Sequence, residues 1–115
     1  MLFIQYPPCT TCKKAKAWLD SHGVSYEDRH IKENNPTYEE LKLWYEKSGL
    51  PLKKFFNTSG LLYKSMNLKE KLPTMTEEEQ LRLLASDGML VKRLILVCGE
   101  KIRTGFKEKE WEEVL

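Results

Sequence analysis

The stretch that decides the fold runs from Leu2 to Gly23 and reads LFIQYPPCTTCKKAKAWLDSHG. Leu2, Phe3, Ile4 and Tyr6 make a short apolar run of residues that favour strand, and Pro7-Pro8 stops it because proline cannot donate to a sheet ladder. From Thr10 the period changes. Cys12, Ala15, Trp18, Leu19 and His22 fall on one helical face, while Lys13, Lys14, Lys16 and Asp20 point elsewhere. Gly23 is placed to end that helix in the left-handed region. Val24 to Ile31 then alternates loosely, which predicts a second strand with one polar face. A helix is too long a connection for a hairpin, and as a crossover it predicts that the two strands are parallel.

Working outward, Asn34-Asn35-Pro36 marks a turn, and Thr37-x-x-Glu40 is a capping box opening a helix through Leu41, Trp44 and Tyr45. Ser48-Gly49-Leu50-Pro51 ends it. Leu52 to Phe56 suits a short helical turn before the loop residues Asn57-Thr58-Ser59-Gly60, and a short helix is favoured over Leu61 to Leu68. A second capping box, Thr76-x-x-Glu79, opens a helix carrying Leu81, Leu83 and Leu84, which Ser86-Asp87-Gly88 closes. Leu94 to Cys98 is a continuous apolar strand, Gly99-Glu100 turns into a strand over Lys101 to Thr104, and a last helix carries Trp111, Val114 and Leu115. The order βαβ, helices, ββα predicts one α/β domain over 1–115 with a helical insertion at about 37–88.

Composition narrows the function classes. The 115 residues carry 19 basic and 17 acidic side chains, a formal charge of +2, which gives no electrostatic case for wrapping nucleic acid. Hydrophobic residues at 41% and aromatics at 10% suffice for a packed core, against intrinsic disorder. No apolar run approaches the roughly 18–20 residues needed to cross a bilayer. The start, MLFIQYPPCTTC, has neither the basic region nor the long apolar region of a secretory signal. A soluble cytoplasmic protein is expected. Three cysteines, an odd count, with Cys9 and Cys12 close and Cys98 distant, are not a secreted disulfide framework; in a reducing compartment this spacing points to redox chemistry or metal binding.

Two cysteines three apart on a helical turn have Cα atoms roughly 5–5.5 Å apart, within the span of a disulfide. They are not equivalent. Cys9 falls at or near the N-cap, where unpaired N–H groups and the positive dipole end favour a thiolate. Cys12 shares the apolar stripe with Ala15 and Leu19, so it is expected to be buried, less reactive and able to resolve a mixed disulfide formed at Cys9. Two plainer alternatives stand beside this. The same spacing also fits half of a zinc site, which Cys98, His22 and His30 would have to complete from separate elements, or two inert core thiols. Cys98 reads most simply as core and His22 as a satisfied histidine on the helix face. Glu77 to Glu79 reads as a solvated first turn, and Lys69 to Lys71 and Lys107 to Glu113 as exposed faces. Arg93 stands immediately before the apolar strand, within reach of the cysteine turn, where it supports a thiolate or a bound oxyanion; on spacing alone, a surface arginine paired with a carboxylate fits as well.

CTTCKKAKAWL at residues 9–19, KKFFNTSGLLYK at 53–64, LPTMTEEEQLRLLASDGMLVKRLILV at 72–97 and GFKEKEWEEVL at 105–115 together resemble the arsenate reductase (ArsC)/Spx family over nearly the whole chain. The FNTSG stretch looks more like the arsenate-reductase-like branch than the regulators. The resemblance implies a thioredoxin-like (glutaredoxin-like) α/β fold, a mixed four-stranded sheet with a helical insertion between strands two and three. It implies Cys9 as nucleophile, with Cys12 at the place of the second cysteine of redox-sensing members. The implied activity is that of a thiol-dependent, arsenate reductase-like oxidoreductase with no bound cofactor or metal, taking glutathione, glutaredoxin or thioredoxin as reductant. The alternative it implies is a redox-sensing Spx-like regulator that binds the RNA polymerase α subunit, with no direct contact to nucleic acid or membrane. Two departures stand out. Asn57 occupies the place where the arsenate reductases carry an arginine, although Arg93 matches theirs, and Leu94 replaces their usual cis proline. A cis bond costs about 2.5–4 kcal/mol before leucine against roughly 0.5–1 before proline, which predicts a trans bond and a differently shaped loop here. Both departures weaken arsenate as substrate; neither touches the dithiol.

Overall fold

A computed structural model describes all 115 residues. In chain order the elements are β1 (Leu2–Gln5), α1 (Thr10–Ser21), β2 (Glu27–His30), α2 (Tyr38–Ser48), α3 (Leu61–Ser65), α4 (Leu68–Lys71), α5 (Glu77–Ser86), β3 (Ile95–Cys98), β4 (Lys101–Thr104) and α6 (Glu108–Glu112). The strands form one sheet in the order β2-β1-β3-β4. β1 runs parallel to β2 and antiparallel to β3, and β4 is antiparallel to β3. This is the expected mixed four-stranded sheet, with α2 to α5 inserted between its second and third strands.

The register sorts the core. Phe3 pairs with Leu96 and Ile4 with Ile95. Because successive side chains on a strand point to opposite faces, the two pairs serve different layers. Phe3 and Leu96 meet Cys12, Ala15 and Leu19 of α1 together with Trp111 and Val114. Ile4 and Ile95 meet Ile31, Leu41, Trp44, Phe55, Phe56 and Leu84 from the insertion side. Both faces of the sheet are therefore covered by helices. Trp111 is fully buried, meets Phe3, Trp18 and Phe106 edge-to-face, and satisfies its indole N–H on the Gly105 carbonyl at 3.1 Å.

Local chemistry sets most boundaries. Gly23 adopts φ 65°, and the Gly23 and Val24 amides donate back to the Asp20 and Leu19 carbonyls, which closes α1 in a Schellman motif. Both capping boxes form reciprocally, Thr37 with Glu40 and Thr76 with Glu79. The Glu40 carboxylate also receives two hydrogen bonds from Arg29, at 2.6 and 2.9 Å, which tie β2 to the start of α2.

Several expectations change. The second strand begins only at Glu27, whose register partner is Leu2, so Val24 to Tyr26 precede the pairing. The helix favoured over Leu61 to Leu68 breaks at Asn67, which takes φ 53° between α3 and α4. His22 is exposed instead of lying on the apolar face, and it stacks on Trp18 with a ring nitrogen 2.8 Å from the Trp18 carbonyl. Cys98 is only half-buried, because it sits at the open end of β3, with its thiol 3.7 Å from the Val114 carbonyl. The Arg93–Leu94 bond is cis, contrary to the trans bond expected from sequence. Contacts on both sides hold that geometry: the Lys92 amide donates to the Phe55 carbonyl at 2.8 Å, the Gly105 amide donates to the Leu94 carbonyl at 2.7 Å, and the Leu94 side chain is fully buried. No helix is long and apolar enough to cross a membrane.

The Arg29 guanidinium holds the Glu40 carboxyl below its ordinary range, against the opposing effect of burial, with help from the Thr37 amide. A carboxyl depressed in the folded state contributes stability above its unfolded value of about 4.3 and loses it as pH falls through the native one. Glu40→Gln is therefore expected to cost about 1–2 kcal/mol in urea unfolding at pH 7. Its difference from wild type should close as the native Glu40 carboxylate protonates.

Candidate active site

β1 delivers the chain to Tyr6, the two exposed prolines turn it, and Cys9 becomes the N-cap of α1 with φ −73° and ψ 128°. The Cys9 amide donates to the Tyr6 carbonyl at 2.9 Å, which closes the turn. One helical turn on, Cys12 is fully buried in the layer that α1 shares with Phe3 and Leu96, and its sulfur faces the Tyr6 amide at 3.5 Å. Cys9 itself is half-buried. The two thiols therefore differ in environment as the sequence predicts, one at the rim and one behind it.

Electrostatics separates them further. Burial pushes the Cys9 thiol upward, but it is outweighed by the Cys12 amide and thiol, the Thr11 amide and the Arg93 guanidinium, and the Cys9 pKa lies below the ordinary thiol value. No side-chain capping bond closes from Cys9 onto the first turn, so the Thr11 and Cys12 amides act on its sulfur as oriented dipoles. Cys12 moves the other way. Burial raises it most, the proximity of Cys9 adds to this against the Tyr6 amide and Arg93, and its pKa is pushed up to about 12.

A cavity of about 620 Å³ opens beside Cys9. Arg93, Lys54, Lys92 and Lys107 line it, and no aspartate or glutamate does. Arg93 is half-buried; its guanidinium lies over the Tyr6 ring, 4.4 Å from the centroid, and its Nε is buried with no hydrogen-bond partner. The alternative in which Arg93 pairs with a surface carboxylate does not occur. Asn57, only 8% exposed, lines the same wall and accepts a bond from the Ser59 hydroxyl at 3.3 Å. A Cβ at Gly60 would sit 2.7 Å from Asn57 Nδ2, so glycine leaves room for this amide. The arrangement presents a half-buried thiol, one unneutralised guanidinium and further donors to one cavity.

Cys9, Cys12 and Arg93, all singled out from sequence, come together. Cys98, His22 and His30 do not join them in a metal site: nowhere do three histidine, cysteine, aspartate or glutamate side chains converge as a metal ion requires. The sequence reading missed Lys54 and Lys92, and although Lys107 is exposed as expected, its place on the cavity wall was missed too. Local pattern carries no signal for them, because a lysine facing a cavity and one facing open water look alike in sequence.

Residues 4–114 match the ArsC family. The protein YusI of Bacillus subtilis (strain 168) is 59% identical over 113 residues, covering 98% of this chain and 96% of YusI. The regulatory protein MgsR of the same organism is 34% identical over 110 residues, covering 96% of this chain and 86% of MgsR. The crystal structure of an ArsC family related protein from Bacteroides fragilis superposes with a TM-score of 0.96 at 56% identity, covering 99% of this chain and 96% of that one. The chain belongs to the ArsC family, and its fold is the thioredoxin-like fold of that family.

Alkylation of the reduced protein by iodoacetamide is expected to modify Cys9 first and leave Cys12 unmodified at neutral pH. The Cys9 rate should hold above its lowered pKa and fall as pH drops through it, with a midpoint below the free thiol value of about 8.5. Arg93→Gln should move that midpoint upward.

Proposed function

We propose that this ArsC-family protein is a thiol–disulfide oxidoreductase in which Cys9 attacks and Cys12 resolves. The observation that carries this is the opposite displacement of the two thiols, Cys9 downward and Cys12 up to about 12. The lowered thiol is the readier to ionise and attack, while its partner keeps its proton at neutral pH, which is the division of labour that exchange requires. The Cys9 thiolate attacks one sulfur of a disulfide, forms the mixed disulfide and expels a thiolate. Cys9 has then lost the negative charge that disfavours ionisation of Cys12. The Cys12 thiol gives up its proton to solvent or to the departing thiolate and attacks Cys9 Sγ. The second substrate thiolate leaves and a Cys9–Cys12 disulfide remains. Two electrons have passed to the substrate, and a reductant of the glutathione, glutaredoxin or thioredoxin type in the cytoplasm returns them.

The charge of the cavity favours anionic substrates, with Arg93 supporting the thiolate or a bound oxyanion. Arsenate is the narrower form of this proposal. Arg93 and the neutral Asn57 amide supply a single guanidinium where a multiply charged oxyanion gains most from several, so small anionic disulfides rank first. Sequence similarity to the regulatory protein MgsR favours a second reading, in which the same disulfide is a signal that alters binding to the RNA polymerase α subunit.

Three outcomes are expected. First, Cys12→Ser mixed with oxidised glutathione accumulates an adduct on Cys9 in intact-mass spectra, wild type proceeds to the internal disulfide, and Cys9→Ser does neither; a Cys9→Ser variant that consumed the disulfide at the wild-type rate would end the proposal. Second, at low salt wild type reacts about tenfold faster with oxidised glutathione than with cationic cystamine, and the ratio shrinks as ionic strength rises. Third, affinity capture with the polymerase α subunit retains no protein in either redox state if the enzymatic reading holds, whereas redox-dependent retention supports the regulator.

A further inference from the structure

Arg93 is unusual in what surrounds it. No carboxylate lies within ion-pair distance, and the guanidinium rests on two uncharged groups, the Tyr6 ring face at 4.4 Å and the Met89 sulfur at 4.0 Å. Its Nε–H is buried and makes no hydrogen bond. A carboxylate in the place of the ring would hold the guanidinium as firmly, but it would cancel the charge that Cys9 and any anion in the cavity feel. The ring quadrupole attracts a cation while carrying no net charge. Tyr6 is itself fixed. Its ring meets the His30 ring edge-to-face at 5.8 Å, its carbonyl accepts the Cys9 amide at 2.9 Å, and its amide faces the Cys12 sulfur at 3.5 Å. One residue thus touches both cysteines and carries the cation.

We propose that Tyr6 is a positioning residue: the face of its ring seats the Arg93 guanidinium beside Cys9 without neutralising it, and so keeps that charge for the sulfur and for an anion in the cavity. The proposal rests on Arg93 acting on Cys9, as in the proposed function. The Tyr6 side chain does not line the cavity, and its ring acts through Arg93.

The test reads the pH profile of Cys9 alkylation, which does not require any disulfide substrate to be turned over. Lys54, Lys92, Lys107, Cys12 and His30, the other titratable groups around the cavity and the ring, stay unchanged throughout. Tyr6→Leu removes the ring and is expected to shift the Cys9 midpoint upward, lowering the rate at pH 7 about threefold to tenfold. Tyr6→Phe restores the ring and should restore the profile. Pentafluorophenylalanine in place of Tyr6 preserves the shape but reverses the quadrupole, and is expected to behave like Tyr6→Leu; it also serves if the leucine variant fails to fold. In an Arg93→Gln background none of these changes should shift the profile further. Equal profiles for phenylalanine and its pentafluoro form would overturn the proposal. So would a shift of the same size with and without Arg93, or an Arg93→Gln variant that leaves the midpoint in place. The site reading is judged separately by the mixed disulfide on Cys9: if that adduct forms while the position-6 variants are indistinguishable, Tyr6 alone loses its role.

Discussion

The hydrogen bond from the Cys9 amide to the Tyr6 carbonyl, 2.9 Å long, closes the turn through which β1 hands the chain to α1. Two prolines fill that turn, and proline's locked φ leaves little freedom between strand and helix. The direction of α1 follows from it. So does the burial of Cys12 against Phe3 and Leu96, and the half-buried position of Cys9 at the helix tip. If this closure slackened, the two sulfurs would no longer be graded from rim to interior, and the helix end would cease to face the cavity. The chemistry of the protein is thus a consequence of how a strand becomes a helix.

That geometry makes one dithiol into two different acids. Burial acts on both thiols in the same sense, raising their pKa values, and is the largest influence on each. The opposing influences are unequal. Cys9 has first-turn amides, the Cys12 thiol and Arg93 on its side, whereas Cys12 has the Cys9 sulfur against it. The absence of any carboxylate from the cavity wall completes the arrangement, because Arg93 and the three lysines keep their charge for whatever enters. An arginine with a buried, unpartnered Nε–H is ordinarily a cost to stability.

Most of the fold was legible because its rules are local. The apolar run of Leu2 to Ile4, the stripe through Cys12, Ala15 and Leu19, the capping boxes at Thr37 and Thr76 and the glycine that ends α1 each act within a few residues. The failures share the opposite property. Cys98 looks like core in an apolar run, yet it lies at the end of β3 where cover is incomplete. His22 has the spacing of the buried stripe, but it falls beyond the last helical residue, where the chain is already turning away. The geometry at Leu94 is held by Phe55 and Gly105, whose carbonyl and amide bind its two sides from positions remote in sequence.

The sequence by itself determined the strand–turn–helix that carries the cysteines, the order of elements around it, and the inequality of Cys9 and Cys12, because helix periodicity and the unpaired amides of a first turn are properties of a short stretch of chain. Tertiary structure alone decided that Arg93 rests on an aromatic ring with no acid beside it, and that Lys54 and Asn57, Lys92, and Lys107 close around Cys9 from three other segments. Those residues meet only when the inserted helices and the β4 end fold over the start of α1. The field at a sulfur depends on distance through space, and separation along the chain does not encode it.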